Sequence, residues 1–266
     1  MASLGLKGSA IITGAGGALG RAIAQSLARH GVSKIGGLDI STSGLDGTKN
    51  TLAEAYPAVE FLPVQADLAS ADSTSEAICK VISAFGRIDY AINNAGVGQE
   101  LAPSGDTSVE EFDRVMNVNF RGLWLCEKYE LRQMEKQEAR AVNPFNPSIK
   151  EKGSIVNVSS VLGFMAMPHL GVYNSSKHAT LGLTRTDAID YAKKGIRVNT
   201  VAPGFIDTPL LLESTRKALK TTIDRIPQGR LASPEEVADA VTFLLCGLAT
   251  HITGVTLPVD GGFTAT

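Results

Sequence analysis

The octapeptide Thr13-Gly14-Ala15-Gly16-Gly17-Ala18-Leu19-Gly20 decides the fold. It follows a short apolar run, residues 9–13, that reads as a strand, and it opens a helical stretch at 18–31. Glycines at a strand-to-helix turn let the backbone approach a pyrophosphate, and the start of the helix supplies free N–H groups and positive partial charge. A glycine-rich turn by itself is ordinary turn chemistry. Its position between a strand and a helix makes it a dinucleotide signal.

Outward from this turn, short apolar runs alternate with helical stretches and there are no internal repeats. Residues 9–13, 34–39, 60–66, 88–93, 154–159, 197–202 and 255–259 read as strands, most of them rich in Val and Ile and few of them alternating. That is the pattern of strands covered on both faces. Helices are expected near 18–31, 70–85, 109–137, 171–194 and 234–247. The sequence therefore predicts a single α/β domain over 1–266, a doubly wound, Rossmann-like parallel sheet of about seven strands with helices on both faces. Ligands of such sheets bind at the carboxyl ends of the strands. Residues 135–152, charged and then interrupted by Pro144 and Pro147, read as a helix end followed by a solvated surface insertion.

The bulk composition narrows the partners. The chain has 266 residues, 44% of them hydrophobic, and a formal net charge of −2. No Lys/Arg cluster suggests nucleic acid or an anionic membrane, and no apolar run reaches the roughly 18 residues of a membrane span. Small molecules and copies of the same chain are the expected partners. Cys79, Cys126 and Cys246 are far apart, with no histidine at ligand spacing. No metal site is expected, and a reducing cytoplasm fits best.

Asp39 ends the second strand, 25 residues beyond Gly14. A carboxylate there accepts hydrogen bonds from the adenosine ribose hydroxyls and repels a 2′-phosphate. No Arg or Lys lies in Ile40-Ser41-Thr42-Ser43, and Gly17 stands where a phosphate-binding base could sit, so NAD is expected rather than NADP.

In these residues the sequence resembles the short-chain dehydrogenase/reductase family, from about residue 6 to 263. The family's TGxxxGxG is present with one departure, Ala18 at the second glycine, so Gly14, Gly17, Leu19 and Gly20 are implied to line the cofactor. The resemblance implies that Asp67-Leu68 contacts the adenine ring and that Asn93-Asn94-Ala95-Gly96 stabilises the sheet beside the adenosine half. It implies that Ile206 and Thr208, in Pro203-Gly204-Phe205-Ile206-Asp207-Thr208, hold the nicotinamide carboxamide. Asn119, in Asn117-Val118-Asn119-Phe120, matches the family's helix-interrupting asparagine. The helices at 109–137 and 171–194 resemble the family's subunit-contact helices, implying a homodimer or homotetramer.

Ser160, Tyr173 and Lys177 fit S-x12-Y-x3-K. Tyr and Lys four apart on a helix project from one face, and a serine at a strand end can meet that face. A free tyrosine titrates near 10, and a neighbouring ammonium and the positive nicotinamide ring are expected to lower that value. Tyr173 then removes the alcohol proton while hydride leaves for NAD. Ser160 stabilises charge on the substrate oxygen, and Lys177 grips the nicotinamide ribose. By resemblance, the Asn119 main-chain carbonyl holds a water that links Lys177 to solvent.

Two apolar segments are expected to line the substrate pocket, Gly163-Phe164-Met165-Ala166-Met167-Pro168-His169-Leu170 and Pro209-Leu210-Leu211-Leu212, with 209–226 as a lid. The reading is an oxidoreductase acting on a secondary alcohol or ketone of a mostly apolar metabolite. A non-redox isomerase or dehydratase on the same scaffold and a non-catalytic NAD sensor are the alternatives.

Overall fold

A computed structural model describes residues 3–208 and 223–265. Strands β1 (Ser9–Thr13), β2 (Lys34–Asp39), β3 (Glu60–Gln65) and β4 (Tyr90–Asn93) are followed by a short pair, β5 (Arg140–Ala141) and β6 (Lys150–Glu151). Then come β7 (Gly153–Val158), β8 (Ile196–Pro203) and β9 (Thr256–Val259). The helices are α1 (Ala18–Arg29), α2 (Thr42–Ala55), α3 (Ala71–Phe85), α4 (Val109–Met116), α5 (Leu123–Lys136), α6 (Gly171–Ala192) and a C-terminal helix, Pro234–Leu245.

Seven strands form one sheet in the order β3-β2-β1-β4-β7-β8-β9, every pair parallel. The chain runs outward from β1 to β3, then returns to place β4 on the other side of β1. That reversal opens a crevice at the carboxyl ends of β1 and β4. Register brings Thr13 beside both Leu38 and Asn93, and Asn93 beside Asn157, so the strand ends form one ledge.

Both faces of the sheet are covered, which is why the strands read as apolar runs. On one face α1, α2 and the C-terminal helix bury Ile23, Leu27, Leu45, Leu52, Val241 and Leu244 against Ile12 and Val156. On the other, α3, α5 and α6 bury Ile78, Val81, Leu131, Met134 and Ala188 against Ile11, Ile155 and Val198. The C-terminal helix begins with a capping box, Ser233 and Glu236 satisfying each other's backbone N–H groups. Its last turn is held by Arg197, which donates to the Leu244 and Leu245 carbonyls while pairing with Glu151 at 2.8 Å.

Three expectations are revised. Helix α2 lies where no helix is expected. Residues 109–137 are not one regular helix, because a π-helical turn at Asn117–Gly122 interrupts it. The 135–152 stretch is not a plain surface loop: β5 and β6 pair antiparallel, Arg140 lies 3.6 Å from Asp89, and Asn143 donates to Gly247 at 3.0 Å. Asp89 and Gln137 supply buried acceptors for backbone N–H groups at β1 and β4, so the insertion is stitched to the strands' amino ends. Of the expected lid, residues 209–222, with Pro209 and Leu210 to Leu212, lie outside the described residues. Among the described residues, no helix is long and apolar enough to cross a membrane, and no group of His, Cys, Asp and Glu could hold a metal.

Candidate active site

The glycine-rich turn shows why its small residues are needed. Gly14 has φ +69°, and a side chain there would meet the Asn94 Nδ2 at 2.8 Å and the Ala95 Cα at 2.9 Å. A Cβ on Gly20 would fall on the Gly14 carbonyl. Helix α1 opens at Ala18 behind Gly17, with no side-chain cap and no acidic residue in its first turn. Its N–H groups and positive end are thus left for an anion from outside the chain. Asn94 fixes the turn from β4, donating from Nδ2 to the Thr13 carbonyl at 3.0 Å and to that of Gly14 at 3.3 Å. The Thr13 hydroxyl accepts the Asn94 and Ala95 N–H groups in return.

Beside the turn, a cleft of about 160 Å³ is lined by Gly14, Asp39, Asp67, Leu68, Val97 and Val118, among others. The expected adenosine residues therefore share one cavity. The Asp39 carboxylate accepts the Gly16 N–H at 2.8 Å through Oδ2 and the Ser41 N–H at 2.9 Å through Oδ1. The uncapped helix, the glycine cradle and the carboxylate at the strand end fit a dinucleotide. Ile206 bridges Ala232 at the other side of the ledge, and Thr208 closes the stretch that follows β8.

The three residues of the S-x12-Y-x3-K pattern converge. Ser160 follows β7 and its Oγ accepts the Leu162 N–H at 3.1 Å, which turns the chain into a short 3-10 helix, Val161–Gly163. Tyr173 and Lys177 sit one turn apart on α6. Ser160 lies beside the Tyr173 hydroxyl, where it favours the ionised form, and the Lys177 Nζ lies 5.7 Å from the centre of the Tyr173 ring. Lys177 is 4% exposed, and its Nζ donates to the Val158 carbonyl at 3.1 Å. Burial pulls the Lys177 ammonium down to about 8. Burial also pushes the Tyr173 phenol above its ordinary value, with the Ser160 hydrogen bond opposing it. In the protein alone, withdrawal from water outweighs the help the phenol receives from Ser160; the lowering is expected with the nicotinamide cofactor bound.

Asn119 lies in the π-helical turn, fully buried. Its side chain accepts the Val97 N–H at 2.7 Å and donates to the Val97 carbonyl at 2.9 Å and to Ser176 at 3.3 Å. Both ends of the carboxamide are therefore engaged in bracing the loop after β4. Met165, Met167, Leu170, Tyr173, Phe205 and Leu231 pack around Val161, Leu162, Ile226 and Phe263, an apolar cluster at the catalytic level. His169, between the methionines and α6, is held at φ +64°.

Two features escape sequence reasoning. Gln99 accepts the backbone N–H of Tyr173 at 2.9 Å, although no motif marks it. Beneath the ledge, Asn93 donates to Glu130 and to Asn157, each at 3.0 Å, and Asn157 donates to Glu127 at 3.1 Å. Glu127 and Glu130 are buried acids on α5. Burial raises Glu130 to about 7, and raises Glu127 well above its ordinary value, with Asp187 and Glu130 adding to the effect. Two acids three residues apart on an otherwise apolar helix face were the available signal.

Residues 14–264 match a family model described as enoyl-(acyl carrier protein) reductase. The chain is 37% identical over 268 residues to the short-chain dehydrogenase fogB of Aspergillus ruber, covering 98% of each. It is 37% identical over 256 residues to a cis-4-hydroxycyclohexanecarboxylate dehydrogenase of Sinomonas cyclohexanicum, covering 96% of each. It is 36% identical over 258 residues to a 2,5-dichloro-2,5-cyclohexadiene-1,4-diol dehydrogenase of Sphingobium indicum, again covering 96% of each. Among solved structures, a 3-ketoacyl-(acyl-carrier-protein) reductase from Brucella melitensis, complexed with NADH, superposes with a TM-score of 0.84. That pair is 32% identical, over 98% of this chain and 100% of the other.

Proposed function

The chain belongs to the short-chain dehydrogenase/reductase family, and from that premise we propose that it is an NAD-dependent oxidoreductase interconverting a secondary alcohol and a ketone on a mostly apolar, ring-bearing small molecule. The observation that carries this reading is the gathering of Ser160 and Lys177 about the Tyr173 side chain.

NAD, when bound, supplies the hydride acceptor. Tyr173 takes the alcohol proton at its hydroxyl in oxidation and returns one in reduction. Because burial favours the neutral phenol, ionisation depends on positive charge close by, and the Lys177 ammonium provides it. Ser160 hydrogen-bonds the substrate oxygen and stabilises charge developing there. Lys177 holds the nicotinamide ribose and, through the water expected on the Asn119 carbonyl, exchanges its proton with solvent.

Asp39 supports NAD over NADP. Its carboxylate stands in the adenosine cleft, where it accepts ribose hydroxyls and opposes a second phosphate. The ring-bearing substrate is supported by two relatives named for six-membered carbocycles bearing oxygen substituents, and by the apolar cluster of Met165, Met167, Leu170 and Phe205. Val109, Phe112 and Trp124 of α4 and α5, with Ile189 of α6, are large apolar side chains left exposed, which supports a homodimer or homotetramer through these helices. The three cysteines are unpaired, in keeping with a reducing cytoplasm.

The test uses NAD with a panel of alicyclic secondary alcohols that includes cis-4-hydroxycyclohexanecarboxylate. Reduced nicotinamide is expected to appear, and Tyr173→Phe is expected to lower kcat by about 10²- to 10⁴-fold. Oxidation undiminished in Tyr173→Phe would sink the mechanism. Tight NAD binding with no turnover on any alcohol would point to a sensor.

A further inference from the structure

The loop from β4 to α4 is tied down almost residue by residue. Asn119 brackets both backbone groups of Val97. Arg114 donates to the Gly98 carbonyl at 2.7 Å, and the Glu111 carboxylate accepts the Glu100 N–H at 2.8 Å. Further on, the Ala102 N–H donates to the His169 carbonyl at 3.1 Å, and Ala102 forms a β-bridge with Leu170. Gln99 sits in the middle of this clamped stretch. Its Oε1 accepts the Tyr173 N–H, across 74 positions of sequence.

Helix α6 needs that acceptor. Its N-cap, Leu170, has no side chain able to cap, and its first residue is Gly171, which weakens a helix start. The Tyr173 N–H is one of the donors that every helix leaves without an intrahelical partner. Among the described residues the Gln99 Nε2 is buried without a hydrogen-bond partner, and the polar contact that holds the side chain is the one from the Tyr173 N–H to its Oε1.

We propose that Gln99 is a positioning residue for the proton-transferring tyrosine: it fixes the start of α6 and so sets the Tyr173 ring against Ser160 and Lys177. The path runs from the Asn119 brace through the rigid loop to the tyrosine backbone. Two parts of the site far apart in sequence thereby share one reference point. This inference rests on the reading of Tyr173 as the acid/base.

Two variants test it. Gln99→Met keeps length and bulk and removes the acceptor. Gln99→Glu keeps the acceptor and brings a negative charge close to the tyrosine, which disfavours the phenolate. The first readout is near-ultraviolet absorbance of tyrosinate against pH in the NAD complex, less that of the same variant carrying Tyr173→Phe. The difference isolates Tyr173 among the chain's five tyrosines and requires no substrate. Gln99→Glu is expected to move the Tyr173 midpoint upward. In turnover, Gln99→Met is expected to lower kcat about tenfold with NAD affinity unchanged, the size of effect that a small misplacement produces. Gln99→Glu is expected to recover that loss above its shifted midpoint.

An unmoved midpoint in Gln99→Glu, or wild-type kcat in Gln99→Met, overturns the assignment. If Gln99→Met does not fold, the Gln99→Glu midpoint decides the matter. Failure of the acid/base reading looks different, because it appears as turnover persisting in Tyr173→Phe with Gln99 intact.

Discussion

The Nζ of Lys177 lies 5.7 Å from the centre of the Tyr173 ring and donates to the Val158 carbonyl at 3.1 Å. The ammonium is thus stationed at the tyrosine by a strand backbone, almost wholly buried. The unfolded chain binds the Lys177 proton up to about 10.5, whereas the folded one releases it near 8. Between those values the unfolded state holds more protons, so stability of the NAD-free protein is expected to rise with pH across that window. Urea denaturation at several pH values should show this slope, and Lys177→Met should flatten it. An equal slope in both proteins would place its origin elsewhere.

Asp39→Ser removes the carboxylate proposed to accept the ribose hydroxyls, which also holds the Gly16 N–H. We expect kcat/KM with NAD to fall by at least about tenfold, the loss of one or more charge-assisted hydrogen bonds. The NADP-to-NAD ratio should rise. Steady-state rates with the two cofactors check this, and an unchanged ratio would remove Asp39 as the selecting residue.

Glu130→Gln probes the buried acid. The folded protein keeps the Glu130 proton up to about 7, whereas the unfolded chain releases it near 4.5. Stability from this group is therefore present below about 4.5 and lost as pH rises to about 7. The neutral amide should stabilise the protein above that range by up to about 3 kcal/mol, and hardly at all below about pH 4. Thermal melts of both proteins across the range provide the comparison. A constant difference at all pH values would mean that Glu130 does not titrate there.

Glu151→Leu leaves the Arg197 guanidinium buried, with backbone carbonyls as its partners. Breaking a buried pair on one side costs about 3–5 kcal/mol, and replacing both partners by apolar residues costs far less. Chemical denaturation should show Glu151→Leu strongly destabilised and the double variant with Arg197→Met largely recovered. A double variant no better than the single one would show that Arg197 matters chiefly as the cap of the C-terminal helix.

Most of the architecture was legible in the chain, because buried parallel strands leave uninterrupted apolar runs. Residues 9–13 and 34–39 were read to the residue, and the other five sheet strands to within two at either end. Helix α2 was not legible. Thr42, Gly44, Gly47, Thr48 and Thr51 are poor helix formers, and the helix exists because Leu45, Thr48 and Leu52 bury and Ser41 caps it. Tertiary contact overrode propensity. The S-x12-Y-x3-K pattern foretold which side chains meet, because helix and strand geometry fix their directions. It could not foretell that burial would raise the tyrosine, since desolvation depends on everything packed around the group. Gln99 was invisible for a related reason: a cap supplied across 74 positions leaves no local spacing to read.

The hydrogen bond between the Gly16 N–H and the Asp39 carboxylate has a consequence for how this protein could change its cofactor. On the proposed reading, a substitution at 39 that admits a further phosphate also loosens the turn proposed to receive the pyrophosphate. The two properties are therefore coupled at that position. An evolutionary or engineered route to the phosphorylated cofactor is expected to pair the exchange at 39 with a new acceptor for the Gly16 N–H.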